Sequence, residues 1–332
     1  MYIVDSYPIA VLLCIITMFC WGSWANTQKL ASKDWVFPLF YWDYTLGLII
    51  LSLIFGMTLG SSGTGGQDFW SNLQEATSPA LWSAFLGGVV FNIANLLIVA
   101  AIDIAGMAIA FPIGIGIALV LGVIVNYVAT PLGNPVLLFT GVGLVSLAIL
   151  LDAKAYRKIS SRSASFKGIA ISIAGGILMG FFFRFVAASM SADFANPVLG
   201  LLTPYSAVFV FSLGVFFSSF LFNTYFMYRP VNGKPARYSD YFRLGSPRLH
   251  FIGILGGIIW CIGMSFSLIA SDKAGFAISY GLGQGATMIA AIWGVFVWKE
   301  FKNAPKGTNL LLGLMFLCFF IGLSLIIIAR LS

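Results

Sequence analysis

The chain has 332 residues, of which 60% are hydrophobic and 9% charged, with a net charge of +7 and a single histidine. A soluble domain carries about 25% charged and roughly 45–50% apolar residues, so this composition, with a mean hydropathy of +0.98, excludes a soluble enzyme and assigns most of the chain to lipid. The basic residues sit in short loops and form no continuous face, which excludes a nucleic-acid partner; membrane lipid and a small-molecule substrate are the partners expected.

Crossing about 30 Å of hydrocarbon at 1.5 Å per residue takes roughly 20 apolar residues. Ten such stretches occur in chain order, at 8–28, 37–58, 79–101, 105–127, 135–152, 168–190, 199–227, 249–270, 275–298 and 308–330. The N-terminal stretch carries Asp5 and no basic flank, so it is expected to be a first span and not a cleaved signal peptide. Cys14, Cys20, Cys261 and Cys318 all lie in apolar runs and are expected to be buried free thiols, with no disulfide framework and no metal knuckle.

The even span count places both termini on one side. The loops at 29–36, 153–167, 228–248 and 299–307 fall on the other and hold all of the 18 Lys and Arg residues except Arg184, Lys273 and Arg330. Lys29, Lys33, Arg162, Arg229 and Lys299 are among them. The positive-inside rule then assigns these loops to the cytoplasm and both termini to the exterior of an inner or plasma membrane. The glycine-rich stretch Ser61-Ser62-Gly63-Thr64-Gly65-Gly66, on the outer side, reads as a flexible linker.

A shift of 169 residues superimposes two long segments of the sequence. Gly87-Gly88 falls on Gly256-Gly257, Asp103 on Asp272, Ala105-Gly106 on Ala274-Gly275, and Gly114 and Gly116 on Gly283 and Gly285. Each half then holds five spans, 1–152 and 168–332, joined by a basic cytoplasmic linker at 153–167. Because five is odd, the second half enters the membrane in the opposite sense. The expected fold is an all-α integral membrane protein of ten transmembrane helices in two inverted five-helix repeats, the plan of secondary transporters. In that plan, interrupted helices at matching positions mark the substrate pocket. Pro112, Gly114 and Gly116 of span 4 and Gly281, Gly283 and Gly285 of span 9 are therefore expected to be pocket walls or hinges; the alternative for each glycine is close helix packing.

Polar groups at membrane depth are few. A charged Asp near a helix centre costs about 2.5–3.5 kcal/mol on insertion scales, so Asp43 of span 2 is expected to be either protonated or paired, with Arg184 as one available cation. A carboxyl poised between those states suits proton coupling. Trp21, Trp24 and Gln28 share a face of span 1, with Asn26 on another, and Asn92 and Asn95 share a face of span 3. Tyr280 and Gln284 sit in the glycine-interrupted part of span 9. Amides with aromatic platforms suit a small neutral solute rich in hydroxyl, carbonyl or N–H groups, so Trp21, Trp24, Asn92, Asn95, Tyr280 and Gln284 are the expected substrate contacts. For the asparagines, interhelical bonding is the alternative. His250 falls at the cytoplasmic mouth of span 8. No phosphate-cradling or zinc-protease motif occurs, so neither enzymatic activity nor a cofactor is expected.

The run Tyr41-Trp42-Asp43-Tyr44-Thr45-Leu46 resembles the LDYTL stretch in span 2 of the plant ureide permeases. Phe226-Met227-Tyr228-Arg229-Pro230 is similar to their FLYRP at the end of span 7. The segment from Gly256 through Ala274-Gly275 to Trp293-Gly294-Val295 and Glu300 resembles their last two spans. The resemblance covers essentially the whole chain. It implies a place in the drug/metabolite transporter superfamily, beside bacterial glucose/ribose porters and the rhamnose–proton symporter. It further implies proton-coupled uptake of allantoin, uracil and similar oxo-heterocycles, or of sugars; sodium in place of protons is the alternative that a bent helix with free carbonyls leaves open. An exporter of drugs or metabolites on the same fold and a non-transporting membrane receptor remain the competing readings. The oligomeric state is not legible.

Overall fold

The computed structural model describes residues 1–31, 35–63, 65–159, 165–231 and 233–332; Lys33 and Arg162 of the basic loops and Thr64 of the glycine-rich stretch lie outside these. The helices follow in order as α1 (Tyr7–Ser23), α2 (Ala25–Ala31), α3 (Phe37–Met57), α4 (Phe69–Glu75), α5 (Ser78–Ala105), α6 (Met107–Ala129), α7 (Pro135–Arg157) and α8 (Phe166–Ala188). Then come α9 (Pro204–Ser219), α10 (Phe222–Tyr228), α11 (Tyr238–Leu244), α12 (Pro247–Ala274), α13 (Phe276–Gly283), α14 (Ala286–Ile292), a π-helical turn at Trp293–Val297, and α15 (Thr308–Ile328). Among the described residues ten helical segments are long and apolar enough to cross a membrane, from Tyr7–Ala31 to Thr308–Ile328. The fold is all-α.

Local chemistry sets where these helices begin. Proline stands in the first turn of α1, α3, α5, α7, α9 and α12, where its missing N–H costs nothing and its fixed φ favours the helix. Asn134, Ser165, Thr203 and Ser246 accept first-turn N–H groups, which satisfies donors that lipid cannot. The cysteines are all free.

The two joins at single residues have the same backbone. Gly106 links α5 to α6 at φ 82°, ψ 157°, and Gly275 links α12 to α13 at φ 83°, ψ 153°. Positive φ of this kind is a glycine conformation, and the two residues stand 169 apart. Packing follows the same correspondence. Helix α5 lies on α8 and α9, as α12 lies on α1 and α3; α7 pairs with α15, and α3 with α9. A Cβ on Gly88 would stand 3.0 Å from Gly214 Cα, and one on its counterpart Gly257 would stand 3.0 Å from Gly47 Cα. The turn at Gly106 adjoins Asp103, which shares a cavity with Lys29, Tyr156 and Glu300. The turn at Gly275 packs on Leu132, at the end where Asn134 N donates to Ala329 O.

Two expectations are corrected here. Span 4 is not interrupted, since α6 runs unbroken through Pro112, whereas spans 1, 7 and 9 each break into consecutive helices. That proline is the sixth residue of the helix and removes one early bond while the ladder continues beyond it. Gly114 meets Gly176 of α8, whose Cβ would stand 3.0 Å from Gly114 Cα, so Gly114 serves a close crossing. The glycine-rich stretch is also no free linker. The Met1 amino group donates to Gly65 O at 2.7 Å, Tyr2 N donates to Leu59 O, and Met1 and Val4 are buried.

Candidate functional site

A cavity of about 470 Å³ lies among the first, third, fourth, sixth, eighth and ninth spans. One end is open, with Lys29 and Glu300 side chains 45% and 31% exposed. The other is closed by aromatic rings. Trp21 and Trp260 stack at 5.7 Å between centroids, and Phe91 sits 4.4 Å from Trp260. Phe182 and Met179 complete this floor. The break in span 9 builds part of the wall. After Gly283 the backbone closes with tight i to i−3 bonds, Gly285 N to Leu282 O and Thr287 N to Gln284 O, which turns Gln284 and Thr287 toward the cavity.

Trp21, Trp24, Asn95 and Gln284 line this space, together with Asn26 and Gln28. Asn95 Nδ2 donates to Tyr41 Oη at 3.3 Å. Its carbonyl oxygen and the Gln284 amide have no protein partner among the described residues. An amide presents both donors and an acceptor, and here they stand beside flat indole faces. That combination holds a polar solute by its edge and its face together.

Asn92 and Tyr280 are elsewhere. Asn92 is fully buried and its Nδ2 donates to Ser218 Oγ at 2.7 Å, Ser219 Oγ at 3.1 Å and Val215 O at 3.2 Å. It joins α5 to α9. Tyr280 Oη donates to Ala118 O at 3.1 Å and Met179 O at 3.3 Å, which ties α13 to α6 and α8. None of Pro112, Gly114, Gly116, Gly281, Gly283 and Gly285 faces the cavity. A Cβ on Gly283 would stand 2.7 Å from Trp21 Cζ3 and one on Gly285 2.7 Å from Met18 Cε, so both serve the contact of span 9 with α1.

The mouth is a network. Glu300 accepts from Lys29 Nζ at 2.8 Å and from Tyr156 Oη at 2.7 Å. Lys29 also lies 4.2 Å above the Trp298 ring, and Trp298 Nε1 donates to Asn26 Oδ1 at 2.7 Å. A side lobe of about 340 Å³ reaches Met227 and Pro230 and shares Phe37, Val99 and Asp103 with the main cavity.

Asp43 lies outside the cavity, buried at the basic end of α3. Its carboxylate accepts from Trp35 Nε1 at 3.1 Å and from Tyr241 Oη, and lies 2.9 Å from His250 Nδ1. The partner of Asp43 is thus the His250 ring and not Arg184, which sits near the far end of α8. Burial, followed by the Asp43 carboxylate, raises the Tyr241 phenol above its ordinary value.

Sequence reasoning missed Trp260, Phe91, Phe182, Trp35 and Tyr241, and it left His250 without a role. A signal existed for one pair: the 169-residue shift carries Phe91 onto Trp260, the two rings that meet in the floor. No spacing rule joins His250 to Asp43 across 207 residues.

Comparison with known proteins follows the same lines. A family profile described as ureide permease matches residues 40–164 and 150–329. Ureide permease 1 of Arabidopsis thaliana is 22% identical over 98% of each chain. A probable ureide permease A3 of Vigna unguiculata is 22% identical over 92% of this chain and 99% of its own. A putative sugar uptake protein of Streptococcus pyogenes serotype M1 is 22% identical over 94% and 96%. One solved crystal structure aligns over 97% of this chain and 98% of its own with a TM-score of 0.61 at 14% identity, a likeness of fold alone.

Proposed function

Because this chain belongs to the ureide permease family, we propose that it is a secondary active transporter that takes up a small neutral polar solute together with protons. The first substrate class is a ureide or oxo-heterocycle such as allantoin or uracil. The name of the streptococcal relative favours a second, sugars. The relatives are named as permeases and uptake proteins, and the chain acts as a carrier and not as an enzyme.

One observation carries this reading. The Asn95 carbonyl oxygen and the Gln284 amide line, with Trp21 and Trp260, a cavity open at one mouth. Four amide side chains line it, Asn26, Gln28, Asn95 and Gln284, which suits a polar solute better than the apolar cargo of a drug exporter. An open cavity of about 470 Å³ also fits a carrier better than a solidly packed receptor.

The basic loops are cytoplasmic and the termini external, so the cavity faces inward. The halves 1–152 and 168–332, linked through 153–167, form two inverted repeats that rock against each other. The matched crossings at Gly88 and Gly257 and the matched turns at Gly106 and Gly275 support that relation. Asp43 carries the coupling proton. Its partner His250 begins α12, the helix that bears Trp260, so protonation at Asp43 loosens the hold on a helix that reaches the substrate. Gly116 and the Gly283–Gly285 break supply the flexible points.

The test is uptake of radiolabelled allantoin, uracil and ribose into proteoliposomes under an acid-outside gradient. Accumulation that collapses with a protonophore supports the reading. Protein that binds none of the three, judged by thermal shift, and takes up none of them overturns it.

A further inference from the structure

Helices α5 and α12 have equal length, and the 169-residue shift carries one onto the other from end to end. It brings Gly88 onto Gly257, the two matched crossings, and three residues later Phe91 onto Trp260. Those two rings touch, with centroids 4.4 Å apart. When residues related by a two-fold operation touch each other, the axis runs between them. Their neighbours match as well: Trp260 stacks on Trp21 of α1 at 5.7 Å, and Phe91 meets Phe182 of α8 at 5.2 Å. The pair is 2% and 5% exposed and divides the open cavity from the closed outer half. Inward of Phe91, α5 turns Asn95, Ile98, Val99 and Ile102 to the cavity. The shift places Met264, Ser267, Leu268 and Ser271 at the same positions of α12, outward of Trp260, and all four are buried. This length of α12 lies on α1, where Thr17 Oγ1 donates to Gly263 O at 2.9 Å. Ser271 Oγ donates to Leu268 O at 2.7 Å. Ser267 Oγ is fully buried and has no hydrogen-bond partner among the described residues. A hydroxyl shut away from water without a partner is a standing cost in this state.

We infer that the α12 face from Met264 to Ser271 is the latent wall of the outward-facing cavity, with Ser267 as its polar contact for the same small neutral solute and the Phe91–Trp260 pair as the partition about which the cavity changes sides. The inference rests on the alternating-access reading above and adds to it the binding surface of the state that is not seen. Two inverted halves exchange environments on switching, so the face that α5 shows now is the face that α12 shows then. The cavity amide Asn95 maps to Met264, an apolar residue, which leaves Ser267, one turn further out, as the polar group of that wall. Solute from outside passes Ser271 and Ser267 to reach the ring pair. Once the halves rock, it lies on the other side of the same pair, beside Asn95, having moved little. The Ser267 hydroxyl, without a partner while the outer side is shut, gains water or solute when that side opens.

Sided labelling tests this. In a background with Cys14, Cys20, Cys261 and Cys318 replaced by alanine, Ser267→Cys, Ser271→Cys, Val99→Cys and Ala270→Cys are made one at a time. A membrane-impermeant maleimide is applied to right-side-out and inside-out vesicles. Ser267→Cys and Ser271→Cys are expected to react from the outer face and not from the inner one, because the outward-facing state admits the reagent each time it forms. Val99→Cys, in the wall of the open cavity, reacts in the reverse sense. Ala270→Cys reacts from neither face, since Ala270 is buried and its counterpart Ala101 is buried away from the cavity. No outer-face reaction in either serine variant, or an equal one in Ala270→Cys, overturns the latent wall whatever Val99→Cys does. Should the cysteine-free protein not fold, the same reporters are placed in the parent and read as labelling above its own. Failure of the transport reading shows itself elsewhere, as no uptake of allantoin, uracil or ribose by the parent, a measurement that involves none of the reporters.

Discussion

His250 Nδ1 lies 2.9 Å from Asp43 Oδ1, so the one histidine of the chain closes a buried cluster on the one carboxylate at the basic end of α3. Trp35, Tyr241 and His250 reach that carboxylate from three different segments. Changing its charge therefore acts on the loop before α3, on α11 and on α12 at once. Asp43→Asn keeps the shape and removes the charge. The expected outcome is loss of substrate accumulation under an imposed pH gradient, with counterflow exchange retained, because exchange needs no net proton movement. Accumulation by Asp43→Asn at the parent level in proteoliposomes would refute the coupling role.

Tyr241→Phe removes one donor from the same carboxylate and leaves packing unchanged. A buried group deprived of a partner costs about 1–3 kcal/mol, so the thermal midpoint of the detergent-solubilised protein is expected to fall. The effect has a pH signature. The Tyr241 phenol is held above its ordinary value by burial first and by Asp43 second. A group whose folded value is raised contributes fully below the unfolded value of about 10, and its contribution fades as pH rises through the folded value. The gap in stability between the parent and Tyr241→Phe is then constant from pH 7 to 9 and narrows above about pH 10.

The two asparagines of α5 separate binding from architecture. Asn95 and Gln284 face the cavity, whereas Asn92 spends its amide on Ser218, Ser219 and Val215, and Tyr280 spends its hydroxyl on two carbonyls. Asn95→Ala and Gln284→Ala are each expected to weaken substrate binding about tenfold, the worth of one hydrogen bond of about 1.4 kcal/mol, with small changes in thermal stability. Asn92→Ala and Tyr280→Phe reverse this, with stability lowered by about 1 kcal/mol or more and the apparent KM unchanged. Binding by thermal shift and unfolding midpoints on the same four variants decide it.

Hydropathy made the ten spans legible because lipid admits few other ways to satisfy a backbone. The likeness of the two helix joins was legible from Asp103/Asp272 and Gly106/Gly275, and both glycines make a turn that only glycine adopts at no cost. The site was legible in part. Spacing put Asn92 and Asn95 on one face of α5, yet it carried no information about which neighbour each amide would meet, and α9 claims only Asn92. Gly283 and Gly285 marked the break correctly, but their own surfaces are consumed by Trp21 and Met18, and the residue between them reaches the cavity. His250 was invisible as a partner because α11 and the start of α12 fold back over Asp43, a tertiary event without a local signature.

Glycine substitutions test the duplication and the proposed hinge together. At Gly88 an added Cβ would stand 2.9 Å from Val215 N and 3.0 Å from Gly214 Cα; at Gly257 it would stand 2.9 Å from Tyr44 C and 3.0 Å from Gly47 Cα. Backbone cannot step aside as a flexible side chain does, so overpacking costs of about 1–3 kcal/mol are expected in each case. If the halves are equivalent, Gly88→Ala and Gly257→Ala lower the unfolding midpoint by similar amounts. Gly116 behaves differently, because nothing lies within 4 Å of where its Cβ would be. Alanine there gains helix propensity worth about 0.8–1 kcal/mol, so Gly116→Ala is expected to fold at least as well as the parent. A hinge role then appears only in transport, as slower uptake at unchanged binding affinity. Uptake at the parent rate in a stabilised Gly116→Ala protein would remove Gly116 from the moving parts and leave the break at Gln284 as the flexible point.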